Sequence, residues 1–261
     1  MTDMNHTRFY RLLCALLMLC CSTFTTAAIS SIDDAINKAG RQRMLSQRMV
    51  KSYLLMGLDI APDKTQVQMD AAIKLFEQQL EELESYARSD ELTDALKVVR
   101  QHWTQFQIPL SQQYSQNVAQ TLFRDVDKLL DECETVVAVL DKEAGTSKGH
   151  LVNVSGRQRM LSQRIAMFYF AHALQIAAEG DESKWQQSIT QFDHALNELI
   201  SAPENSQQIS SSLRKVDAQW HLSNSGFSLM DQDNFVPLII QITMEGILKN
   251  MDSITGLYSS L

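Results

Sequence analysis

The nonapeptide GRQRMLSQR stands at Gly40–Arg48 and again, without a substitution, at Gly156–Arg164. Three arginines in a helical stretch need an explanation, and so does writing the stretch twice. Around it the match widens. Asn37 aligns with Asn153, and Phe76-x-x-x-Leu80-x-x-Leu83 with Phe192-x-x-x-Leu196-x-x-Leu199, all at an offset of 116. Val99 and Trp103 align with Val216 and Trp220 at 117, and Leu129-Leu130 with Ile247-Leu248 at 118. Constant order with a drift of one residue at a time marks an internal duplication.

Composition sets the class of each copy. Nine glycines and four prolines among 261 residues, against abundant Leu, Gln, Ala, Met and Glu, favour helix and exclude a β-sandwich or a disordered chain. A net charge of −8 argues against general nucleic-acid binding, which needs a basic surface. Boundary signals then divide each copy into four helices. Ser31 with Asp33 and Asp34 caps the first, Pro62-Asp63 opens the second, Ser89-Asp90-Glu91 caps the third, and Pro109 stops it before a fourth from Ser115 to Glu143. In the second copy the first helix is expected after Gly149. Boundaries follow at Gly180-Asp181, Ala202-Pro203 and Ser223-Asn224-Ser225-Gly226. The expected fold is all-α, a tandem duplication of an up-down-up-down four-helix bundle, with units at 29–145 and 146–261. A turn at Gly145–Gly149 sets the units side by side and parallel, like the subunits of a dimer; a helix there stacks them end to end. Two glycines and two hydroxyl residues favour the turn.

Residues 1–28 read as a secretory signal: Arg8 and Arg11, an apolar run from Leu12 to Phe24, and small residues through Ala28. An uncleaved anchor is the alternative. Bulky Leu19 before Cys20 argues against a lipoprotein. Cleavage leaves Cys133 alone, on the helical stripe Leu129, Cys133, Val136 and Leu140, so packing rather than a disulfide holds this periplasmic protein together.

The repeated arginines occupy a packing seam. Ile36, Gly40, Arg43, Gln47, Val50, Leu54 and Gly57 are spaced as a heptad, as are Val152, Gly156, Arg159, Gln163, Ala166, Phe170 and Ala173. Arg43 and Arg159 therefore face a partner helix, whereas Arg41 and Arg48 flank the seam and need not be buried. A buried guanidinium demands a negative partner. One solution is a Glu or Asp from a neighbouring helix. The other is a bound anion: Gly40 and Gly156 allow close approach, and Arg and Gln forks brought together across a pseudo-two-fold axis suit a small planar oxyanion.

The segment from Asn37 to Arg48, with the pattern N-x-A-G-x-x-R-M-x-S-x-R, resembles the signature of the PilJ-type domain, the N-terminal sensory domain of type IV pili methyl-accepting chemotaxis transducers. It is similar also to the periplasmic segment of nitrate/nitrite sensor histidine kinases. The second copy departs only at Ser155, where alanine is usual. In those kinases the domain is a four-helix bundle that dimerises, and the arginine before Met binds nitrate at the two-fold interface. The resemblance implies that role for Arg43 and Arg159, with Gly40, Gly156, Gln47 and Gln163 beside them and Arg48 and Arg164 as the pattern's second arginine. Gln47 stands where the kinases carry an aromatic residue, which weakens the case for nitrate itself. The relatives continue into a second membrane helix and a signalling module, neither of which occurs before Leu261. The expected function is thus recognition of a small nitrate/nitrite-like anion and relay to a membrane-bound sensor or transducer. The alternative is a ligand-free adaptor for a chemotaxis transducer or pilus system.

No enzyme, metal or cofactor is expected. C-x-x-C-H, H-E-x-x-H, P-loop and G-x-S-x-G motifs are absent, and no histidine follows a Glu by three residues. Trp103 and Trp220 read as core anchors, and the acidic run from Glu77 to Glu84 as a solvated helix face.

Overall fold

A computed structural model describes residues 29–145, 147–230 and 234–261. The proposed signal segment lies outside them. Eight helices account for nearly all of the described chain: α1 Ile32–Gly57, α2 Pro62–Tyr86, α3 Asp90–Leu110, α4 Gln116–Ala144, α5 Ser147–Ala173, α6 Asp181–Ser201, α7 Gln207–Phe227 and α8 Pro237–Ser259. There is no strand among the described residues.

Local chemistry fixes the helix ends. The hydroxyls of Ser31, Ser89, Ser115 and Ser206 each accept a hydrogen bond from the backbone N–H three residues on, satisfying a donor that the first turn leaves orphaned. Pro62 starts α2, where its missing N–H has no cost. Gly145 and Gly180 take positive φ at the end of α4 and the start of α6. Helix α5 begins at Ser147, three residues before the expected start, but α4 has already ended at Ala144. The chain turns here rather than running on as one helix.

One expected boundary is wrong. Ser223–Gly226 does not break the helix; α7 runs through it to Phe227. The Ser223 hydroxyl donates to the Gln219 carbonyl, as a serine inside a helix does, and to Thr243 of α8. Gly226 serves close packing: a Cβ there would lie 2.8 Å from Ile240 Cδ1. Small and polar residues suit a turn, but here they serve helix–helix contact instead.

Helices α1 and α5 form the spine. They pack on each other, α1 also on α2 and α4, and α5 on α6 and α8. Residues on every side of α1 are consequently buried, including Arg43 and Lys51. The two halves repeat one another in detail. Tyr53 donates to the Gln113 carbonyl and accepts from Ser115 N–H, tying the end of α1 to the start of α4. Its counterpart Tyr169 accepts from Val236 N–H at the start of α8. Gln42 and Gln158 donate to the carbonyls of Phe76 and Phe192. Trp103 and Trp220, both fully buried, stack on those phenylalanines at 4.2 Å and donate to Glu77 and Asp193. Cys133 is buried beside Ala39, Leu80 and Val99, and burial pushes its thiol up. The acidic run is not wholly solvated: Glu82 is buried and meets Lys38 at 2.8 Å.

Because α1 and α4 run antiparallel and α5 follows after a turn, α5 rises parallel to α1. Gln47 meets Arg164 at the same level along the pair. The fold is a tandem helical bundle with its halves side by side about a pseudo-two-fold axis.

Candidate functional site

The seam between α1 and α5 brings the repeated arginines together. Arg43 is 1 % and Arg159 0 % exposed. Each side chain leans back toward the N-terminus of its own helix, as long helical side chains do. There it crosses to the other half: Arg43 Nη2 donates to Asn153 Oδ1 at 3.1 Å, and Arg159 Nη2 to the Asn37 carbonyl at 3.2 Å. A Cβ on Gly40 would lie 3.1 Å from Arg43 Nη2 and 3.5 Å from Arg159 Nη2; one on Gly156 would lie 3.6 and 3.2 Å from them. The two guanidinium groups thus converge beside the same pair of glycines.

Each arginine also holds one carboxylate. Arg43 Nη1 donates to Glu134 of α4 at 2.7 Å, and Arg159 Nη1 to Asp252 of α8 at 2.7 Å. Asp252 accepts from Arg41 as well, at 2.8 Å. Burial pushes the Arg159 guanidinium down to about 10, and nearby Arg41 and Arg43 reinforce the shift against the pull of Asp252. Burial alone would raise the Asp252 carboxyl, but Arg159 and Arg41 outweigh it and hold the group below the usual carboxylate range. The Nε of both arginines, Asn37 Oδ1, Glu134 Oε1 and Gln163 Oε1 are buried without a partner among the described residues. Native interiors leave few such atoms unmatched.

The other candidates divide. Gln47 and Gln163 lie fully buried one turn further along, each amide donating to the serine before it, Ser46 or Ser162. Arg48 and Arg164 diverge to opposite flanks. Arg48 pairs with Glu245 of α8 at 2.8 Å. Arg164 pairs with Asp127 of α4 at 2.6 Å, lies over the Phe168 ring, and reaches the seam only where it donates to Gln47 Oε1 at 3.3 Å.

Sequence reasoning missed Asn37 and Asn153 as site residues, although it had aligned them. It missed all four carboxylates too. Their signal was present: the offset of 118 that aligns Leu129-Leu130 with Ile247-Leu248 also aligns Asp127 with Glu245 and Glu134 with Asp252. Lys51, fully buried and bonded to Glu245, had no such signal, because Met167 takes its place in the second copy.

Comparison with known proteins agrees with the repeat. No curated protein and no solved structure matches the chain. The sequence profile of the family described as type IV pili methyl-accepting chemotaxis transducer N-term, PilJ, matches twice, over residues 24–129 and 144–232. Each match carries one copy of the nonapeptide and one seam arginine, and together they cover most of the chain: the protein belongs to the PilJ family of chemotaxis-transducer sensory domains, in two tandem copies.

Proposed function

We propose that this protein is an exported sensory domain that takes one small planar oxyanion, of the nitrate/nitrite class, between Arg43 and Arg159, and signals its presence to a membrane-bound transducer. One observation carries the reading: two buried guanidinium groups from equivalent positions converge between Gly40 and Gly156, each with an unpartnered Nε. A guanidinium has five N–H donors, and two bonds to protein leave three to spare. Two like charges in one space repel, and an anion between them relieves the repulsion while gaining charge-assisted hydrogen bonds of about 1.5–3 kcal/mol each. The anion would draw α1 and α5 together, and these are the two helices on which α2, α4, α6 and α8 pack. The charge, apolar and small-residue succession of residues 1–28 supports export.

A second reading, the ligand-free adaptor, is favoured by Glu134 and Asp252, since each arginine already holds a carboxylate. Thermal melts of the wild type, Arg43→Met and Arg159→Met with and without nitrate, nitrite and sulfate separate the two. On the sensory reading, nitrate or nitrite raises the wild-type midpoint by roughly 5–10 °C at a hundredfold excess over Kd. Both variants lose the shift. If no anion moves the wild type, the seam is structural and the adaptor reading stands.

A further inference from the structure

Beside the seam, on the flank of the first half, lies a second concavity of different character. It is a cavity of about 530 Å³ between α1, α2 and α8, within the size range of small-molecule sites. Its floor is apolar, built from Met44, Leu45, Ala72 and Leu248, and its rim carries Arg41, Arg48 and Lys249. The carboxylates in its wall are already engaged: Asp252 with Arg41 and Arg159, Glu245 with Arg48 and Lys51. Exposed Lys249 makes no ion pair among the described residues. Three cationic side chains at the wall therefore face two carboxylates, in a chain whose net charge is −8.

The two halves differ next to this flank. At the equivalent place in the second half, Phe123 of α4 stacks edge-on against Phe168 of α5 at 5.5 Å. Lys184 of α6 reaches across to Asp127 at 3.0 Å. The residues aligned with Phe123, Phe168 and Lys184 are Gln241, Ser52 and Gln68. The aromatic pair is thus replaced by two polar residues, and the bridging lysine by a glutamine that accepts a hydrogen bond from Gln241. Gln241 Oε1 and Ser52 Oγ are both buried without a partner.

We infer that the α1–α2–α8 groove is a second ligand site, for an organic carboxylate with an apolar body. The carboxylate lies against Lys249 and Arg41, and the apolar body against Met44, Leu45 and Leu248. Charge selects the head group, and the apolar floor excludes the fully hydrated inorganic anions proposed for the seam. The ligand contacts named here include none of Arg43, Arg159, Gly40 and Gly156, although the wall shares Asp252 with Arg159 of the seam.

The test uses the mature chain and octanoate as probe, followed by calorimetry, with octylammonium as the oppositely charged control. Octanoate is expected to bind saturably, one per chain, and octylammonium not at all. Lys249→Glu, at an exposed position without an ion pair, is expected to weaken octanoate about tenfold. Ala71→Trp, which fills the groove from its exposed rim, is expected to abolish it. Neither variant alters the response to nitrate, whatever that response is. Absence of saturable octanoate binding overturns the inference. So does equal affinity for octylammonium, binding indifferent to Lys249→Glu, or binding that survives Ala71→Trp.

Discussion

At the scale of single residues, Gly40 and Gly156 are the positions where the proposed anion site and a packing device lead to different outcomes. A methyl group at Gly40 would sit 3.1 Å from Arg43 Nη2, a contact that a shift of a few tenths of an ångström relieves. Replacing a helical glycine by alanine gains about 1 kcal/mol of helix propensity. Gly40→Ala is therefore expected to leave the melting temperature unchanged or higher, and to abolish its shift with nitrate, because the methyl group takes the space between the guanidiniums. Gly57→Ala is the contrasting case: its Cβ would lie 2.2 Å from the Tyr114 ring, and the variant is expected to melt lower. Lys51 offers a pH test. Burial pushes its ammonium down to about 8, the repulsion of Arg48 adding to burial and Glu245 opposing it. A lysine with a lowered folded value binds fewer protons when folded, so its charge penalty is complete below pH 8 and lifts as pH rises. Wild-type stability should climb between pH 8 and the onset of tyrosine ionisation near 10, relative to Lys51→Met. That variant carries the residue the second copy already has, and Glu245 keeps Arg48. Chemical denaturation of both proteins across this range checks the difference; parallel curves would mean Lys51 does not titrate there.

Helices α4 and α8 play the same part in the two halves, each lending a carboxylate to a spine arginine from the flank. Asp252 is the more heavily used, accepting from Arg159 and Arg41. Asp252→Asn should destabilise the protein by about 1–2 kcal/mol at pH 7, less than the loss expected of a fully buried pair because this carboxylate is 45 % exposed. The sign with pH is fixed by the lowered carboxyl value. The contribution is complete above the ordinary 3.8 and disappears as pH falls through the lowered folded value, so wild type and variant should converge in acid. A denaturation series from pH 7 to 2 measures this, and a constant gap down to pH 2 would contradict it. Helix ends were legible wherever a capping serine or proline announced them, at Ser31, Pro62, Ser89 and Ser115. They were not legible at Ser223–Gly226, where small residues serve interhelical contact, a demand that comes from α8 and not from the local sequence.

Duplication governs the whole molecule. Exact repetition of GRQRMLSQR made the tandem bundle readable, and its heptad spacing put Arg43 and Arg159 on the spine. Whether the halves lay side by side or end to end depended on one turn after Ala144, and only the structure shows α5 rising parallel to α1. The partners of the arginines come from helices 90 and more residues away, so no local pattern could assign them; only the alignment of Glu134 with Asp252 held the clue. Symmetry brings one arginine from each copy to a common seam, and the copies differ in the residues beside the flanking groove. The most direct test of the central claim is the stoichiometry of nitrate or nitrite in a calorimetric titration of the mature chain. Arg43 and Arg159 converging on one space require one anion per chain, lost in either Arg→Met variant. Two anions per chain, or one that persists after Arg159→Met, would mean that the repeats do not build a common site.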